Sequence, residues 1–403
     1  MSTRFLEVAA RAEAMARTRW GVVALALALT LYAAHHVSQS MGDFKVYQRA
    51  AERAVAGERI YRLEDPHRYL YAPVVTFLFF PLAFLPTVAG RLLWFAFNAV
   101  LLVSVFRSTV RLLFPDGRAP PGFYALVLLL SFRFIDNNLG HGQLNILLLW
   151  LVLRAYEGAS RARYLFAGLA LAGAIAAKIV PVVFLLEIVL HRRWRFLAWS
   201  LAAFAALMAL PVMWWGTTYP QLLRDWLAVL TDQADHYEMA NKINQSIAAF
   251  AYRLFRPYPR GSPVVVLPAQ VVAAITVALH AAFLFALVLV SRRETRRNAG
   301  NDDRIDSDEL SLYLLYSTVA APYSWKYYFA NLIFPLGAAS TRLWLARRDF
   351  EIALWVVFLL NLLAGLELLG KPLATLFQLW SFHFLAAALL FVMLARERWR
   401  PAQ

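Results

Sequence analysis

The 403-residue chain has no cysteine, which excludes disulfides, thiolate metal sites and a cysteine nucleophile. It is also poor in charge. Asp, Glu, Lys and Arg make up 16% of it against 61% hydrophobic residues, and the mean hydropathy is +0.54. That balance leaves no soluble domain to set beside the apolar segments. The chain lacks a Walker loop, an HExxH motif, paired metal-ligand histidines and GxSxG, so aqueous-nucleotide and metallohydrolase chemistry lose support and no metal site is expected. No internal repeat is found. Low complexity is confined to NAGNDDRIDSDE at 298–309, inside an expected cytoplasmic loop at 291–309.

What is present is a succession of apolar runs from Trp20 almost to the C-terminus. Many approach the ~20 residues that a helix needs to cross a hydrocarbon layer of roughly 30 Å. A net charge of +15 raises the question of nucleic acid. Much of the excess sits in short segments such as HRRWR at 191–195 and SRRETRR at 291–297. That is the pattern of cytoplasmic anchors against anionic lipid, so membrane lipids are the expected partner and nucleic acid is not. The run from Gly21 to Val37 reads as an uncleaved first helix, because His35 and His36 make a poor cleavage context.

Placing the basic clusters near Arg161, Arg192, Arg292, Arg347 and Arg396 on one side, with the N-terminus, requires an even number of crossings between any two of them. One run before Arg107 must then fail to span. APVVTFLFFPLAFLP qualifies, being short and interrupted by Pro81 and Pro86. The chain is therefore expected to be an all-α polytopic membrane protein, one membrane-embedded domain over 1–403, with about twelve transmembrane helices. Its long external loops are 38–89 and 216–263, and the first carries an amphipathic helix from Asp43 to Val55 that Gly57 ends.

The polar residues with chemical capacity then gather on the outer face. Asp43 can be a helix cap or a general base whose affinity for protons rises on desolvation. Lys178, inside AIAAKIVPVV, can be a snorkelling anchor or a phosphate contact. His141, Gln143 and Asn145 lie in the turn GHGQLN, whose amides suit a hydroxyl-rich ligand as well as a hydrated turn. Trp325, Lys326, Tyr327 and Tyr328 in APYSWKYY can form an aromatic belt or line a site. Asn244 and Gln245 belong to a formal NQS sequon, taken here as chance, and can be loop residues.

The order of GDFKVYQRA, GERIY, YLYAPVVTFLFFPLAFLP, LLWFAFN, GHGQLNILLLWLVL, AGLALAGAIAAKIVPVVFLL, NQS and PYSWKYY resembles glycosyltransferase family 87 over residues 40–345. These are bacterial polyprenyl-phosphate-mannose-dependent α-1,2-mannosyltransferases of the C-type membrane fold. The resemblance implies an inverting transfer of a sugar, mannose in the family, from a polyprenyl-phosphate donor to a lipid or glycan acceptor. The reaction would run without a nucleotide or other cofactor, at the outer face of the bacterial cytoplasmic membrane. It implies Asp43 as base and Lys178 as phosphate ligand, with Tyr71, His141, Gln143, Asn145, Gln245, Trp325, Lys326 and Tyr328 around the substrates. The chain departs from the family after SW, where Lys326, Tyr327 and Tyr328 stand in place of an acidic or polar residue and a histidine. The competing reading is a transporter or flippase of a lipid-linked sugar, which the lysine at a helix break would suit.

Overall fold

The computed structural model describes residues 2–236, 239–258, 261–297 and 306–399. Most of the 298–309 patch, residues 298–305, therefore lies outside the described residues. The described chain is helical, with no strand and one isolated bridge between Tyr258 and Gly261. Among the described residues, four helices are long and apolar enough to cross a membrane: Arg19–Ser38, Thr87–Leu113, Trp194–Asp232 and Ala269–Arg293. The pair Gly370–Leu379 and Phe382–Trp399, bent by 49°, makes a fifth if it counts as one span. Several other apolar runs fold into shorter pieces, among them Pro73–Ala83, Tyr164–Ala177 and Val180–Leu190. Prolines explain part of this, since Pro181 stands at the start of Val180–Val183 and Pro81 lies inside Thr76–Ala83.

The first helix after the opening span is Gly42–Val55. Phe44, Tyr47, Ala50, Ala51 and Ala54 recur at three- and four-residue intervals and are buried, while Lys45 and Arg49 stay exposed. Ala56 closes the helix and Gly57 follows at φ +72°, a left-handed turn that glycine adopts without a Cβ penalty. The buried stripe packs on the short helix Thr76–Ala83, where the Tyr47 and Phe79 rings stack at 4.5 Å. Gln48 donates from its amide to the carbonyls of Leu82 and Leu85, satisfying the free C-terminal end of that short helix. With Phe44, Tyr47 and Phe79 almost fully buried, each worth roughly 1.5–3 kcal/mol, the 42–85 unit is held by its own core. It does not continue as a membrane-length helix.

The two long loops fold onto each other. The Trp214 indole donates to the Ala54 carbonyl, and that of Trp226 to the Leu70 carbonyl. Phe77 stacks on Trp215 at 5.4 Å, and Arg68 pairs with Asp232. Meanwhile the hairpin Phe123–His141 and Asn145–Ala159 brings the GHGQLN turn against the start of Gly42–Val55.

Candidate active site

Asp43 sits in the first turn of Gly42–Val55 and does not cap it. The cap position belongs to Met41, in a left-handed conformation with no side-chain capping bond. Its half-buried carboxylate instead faces the GHGQLN turn. The reason is local: Gly142 ends Phe123–His141 in a left-handed conformation, where a Cβ would come within 2.9 Å of the Phe44 Cβ. The Trp94 indole donates to the Gly142 carbonyl at 2.7 Å and fixes the turn from the other side. Burial raises the Asp43 carboxyl above the usual carboxylate range. Hydrogen bonding from Gln143 and the nearby basic groups of His141, Lys178 and His67 oppose that rise.

Lys178 closes Tyr164–Ala177 in an extended conformation, so the side chain leaves the helix at its end. Its ammonium donates to the Asn145 side-chain carbonyl at 2.7 Å and lies 3.5 Å from the Tyr328 ring centroid, with Tyr327 at 5.9 Å. Burial pulls it down to about 7, and Asp43 opposes the fall. Lysine and aspartate thus influence each other electrostatically, yet no direct ion pair joins them among the described residues. A carboxylate able to take a proton and an ammonium able to meet an anion thus stand on the same turn.

Tyr71 supports the floor. Its hydroxyl donates to the Gln143 side-chain oxygen at 3.4 Å and shares a 2.9 Å hydrogen bond with Tyr47. The His141 and Tyr327 rings meet at a tilt, 5.6 Å apart, and Trp325 meets Tyr327 at the same distance. Asp43, Tyr71, His141, Gln143, Asn145, Lys178 and Tyr328 therefore converge, with Trp325 at the edge. Lys326 acts electrostatically on Asp136 and His383.

Gln245 packs against Ser324, the residue before Trp325. Fully buried, it donates its amide to the Lys242 and Gln378 carbonyls, while its backbone N–H donates to Ser324. Asn244, equally buried, bonds the backbone of Ser246, Pro322 and Ser324. Ser246 caps Ile247–Phe255. The NQS tripeptide is a staple between segments, with no free asparagine for a glycan.

Sequence reasoning passed over Tyr47 and His67 as site residues, and it counted Asn138 only as one amide in the polar cluster before GHGQLN. Tyr47 could have been found four residues after Asp43, on the same helical face. Nothing local signals His67, and nothing along the chain shows that Asn138 meets Asn145. A three-ligand grouping, Glu187, His191 and Glu309, lies at the opposite ends of these helices. Arg193 and Tyr156 bond Glu187 and His191 bonds one oxygen of Glu309, while the other Glu309 oxygen is buried without a hydrogen-bond partner.

Long apolar helices carrying a carboxylate and an ammonium on converging loops define a membrane protein with a polar site. The family model for glycosyltransferase family 87 matches residues 69–301, more than half of the chain, and the chain belongs to that family. It is a membrane glycosyltransferase. No curated protein and no solved structure matches it. The matched range holds Tyr71, His141, Gln143, Asn145 and Lys178. Asp43 and Tyr328 lie outside it and join them through the geometry described above.

Proposed function

We propose that this glycosyltransferase moves a sugar, mannose by resemblance, from a polyprenyl-phosphate carrier to a hydroxyl of a lipid or glycan acceptor. The reading that goes with it is a C-type membrane fold of about twelve crossings, with the site on the outer face of a bacterial cytoplasmic membrane. The observation that carries the proposal is the placement of Asp43 and Lys178 on two sides of the GHGQLN turn without a direct ion pair. A donor phosphate at Lys178 and an acceptor hydroxyl at Asp43 would bring the two substrates together at this turn.

In this mechanism the Asp43 carboxylate takes the acceptor hydroxyl's proton as the oxygen attacks the anomeric carbon. The bond from that carbon to the phosphate oxygen breaks, and polyprenyl phosphate leaves with the electron pair, inverting the configuration. Lys178 offsets the charge that grows on the phosphate. Asn145 holds the ammonium, and His141, Tyr328 and Trp325 offer ring faces and donors to the sugar. The test is transfer by purified enzyme from a radiolabelled polyprenyl-phosphate sugar, with a nucleotide sugar as control. Activity with the nucleotide sugar alone would end the proposal. Glycolipid profiling of a deletion strain would name the sugar and the acceptor.

A further inference from the structure

We infer that Asn138 is a positioning residue that sets the polarity of the amides around Lys178, an inference that rests on the phosphate role proposed for that lysine. Asn138 lies in the last turn of Phe123–His141 and is fully buried. Its side-chain nitrogen donates to the Gln143 backbone carbonyl at 3.2 Å. Its side-chain oxygen accepts from the Asn145 backbone N–H at 3.2 Å and from the Asn145 side-chain amide at 3.1 Å.

A side-chain amide can ordinarily turn over, exchanging donor for acceptor. Here it cannot, because one neighbour is a backbone carbonyl, which only accepts, and the other a backbone N–H, which only donates. The backbone thus fixes Asn138. In turn its oxygen fixes Asn145 with the NH2 group facing inward, which leaves the Asn145 oxygen aimed at Lys178, 2.7 Å away. The polarity runs in one direction from main chain to ammonium. Were Asn145 to turn over, its NH2 would face an ammonium that has no lone pair to offer.

A companion arrangement serves the base. The Tyr71 hydroxyl bonds the Gln143 oxygen, leaving the Gln143 NH2 for the Asp43 carboxylate. One turn therefore offers donors to the anion and an acceptor to the cation.

The experiment uses the full-length protein in detergent and three variants. Asn138→Ala frees Asn145 to turn over, and carrier KM should rise roughly tenfold or more, the size expected for a hydrogen bond to a charged group, with kcat changed less. Asn145→Asp in the wild-type background sets an oxygen against the Asn138 oxygen and should also be impaired. Asn138→Ala combined with Asn145→Asp should outperform both single variants, because either carboxylate oxygen can accept from Lys178 and nothing opposes it. Competitive acetylation of Lys178 against pH gives a readout that does not need glycosyl transfer. Its midpoint should fall in Asn138→Ala and rise above that value in the double variant.

If Asn138→Ala does not accumulate, Asn138→Asp keeps the acceptor that holds Asn145, and its Lys178 titration should not fall below the wild-type midpoint. Wild-type KM and titration in Asn138→Ala would overturn the inference, as would a double variant no better than the single ones or a lowered midpoint in Asn138→Asp. If the wild type transfers nothing from a polyprenyl-phosphate sugar while the titration midpoints move as stated, the functional proposal fails and the positioning role stands.

Discussion

Gly142 and Phe44 are in contact across two elements far apart in sequence, so close that a Cβ on the glycine would come within 2.9 Å of the phenylalanine's own Cβ. This approach seats the GHGQLN turn against the helix that carries Asp43. Gly142→Ala adds a clash at φ +72°, a conformation that costs a side-chain-bearing residue roughly 1–2 kcal/mol. Displacement of the turn by a fraction of an ångström is expected to lower kcat, by up to about 100-fold, with protein still present in membranes. Steady-state kinetics on membranes with matched expression checks this.

Asp43→Asn should reduce transfer roughly 100- to 10,000-fold, the usual contribution of a general base. Radiolabelled donor and quantified membrane protein give the measurement. Full activity in Asp43→Asn would remove Asp43 from the mechanism.

The rate should depend on pH in a particular way. Asp43 must be deprotonated to act, and its proton affinity is raised by burial, so activity is lost on acidification at a higher pH than the ordinary value of 3.8 predicts. Lys178 must be protonated to hold phosphate, and burial lowers it to about 7, so kcat/KM should fall as pH rises through that value. Lys178→Arg keeps a charged group and should push the alkaline limb upward, while Lys178→Ala should raise the carrier KM and abolish that limb. A pH profile of kcat/KM for the three proteins tests the assignment.

Asn244→Ala should lower the thermal midpoint and leave carrier KM unchanged in the folded fraction. The cost is about 1–3 kcal/mol, because backbone groups of Pro322 and Ser324 lose buried partners. A shifted KM with an unchanged midpoint would instead favour sugar contact.

The cysteine-free chain makes sidedness measurable. In Lys45→Cys the exposed surface-helix position should react with an impermeant thiol reagent added outside the cell, and in Arg292→Cys only after the membrane is opened. The reverse pattern would invert the topology.

The parts legible in the sequence were those governed by local periodicity and by backbone chemistry. The stripe Phe44, Tyr47, Ala51 and Ala54 announced the surface helix, Gly57 its end, and Pro81 the short helix over 76–83. The GHGQLN turn and the lysine break were legible as polar interruptions of apolar runs. What stayed hidden was tertiary. Asn138 matters only because the chain reverses and returns Asn145 to it, and the carbonyl partners of the Gln245 amide, as far away as Gln378, are invisible along the chain. Helix lengths were hidden too, since an apolar run has no mark for where packing will break it into shorter pieces.

The opening helix, Arg19–Ser38, is exposed along most of its length, and its C-terminal end is held by Tyr32 and His36, both bonded to Asp136. Only residues 39–42 separate that helix from Asp43. An apolar rod adjusts its inclination to the hydrocarbon thickness around it. The inclination of this one is therefore handed almost directly to Asp43, which under the proposed mechanism makes lipid chain length a variable of the rate as well as of solubility.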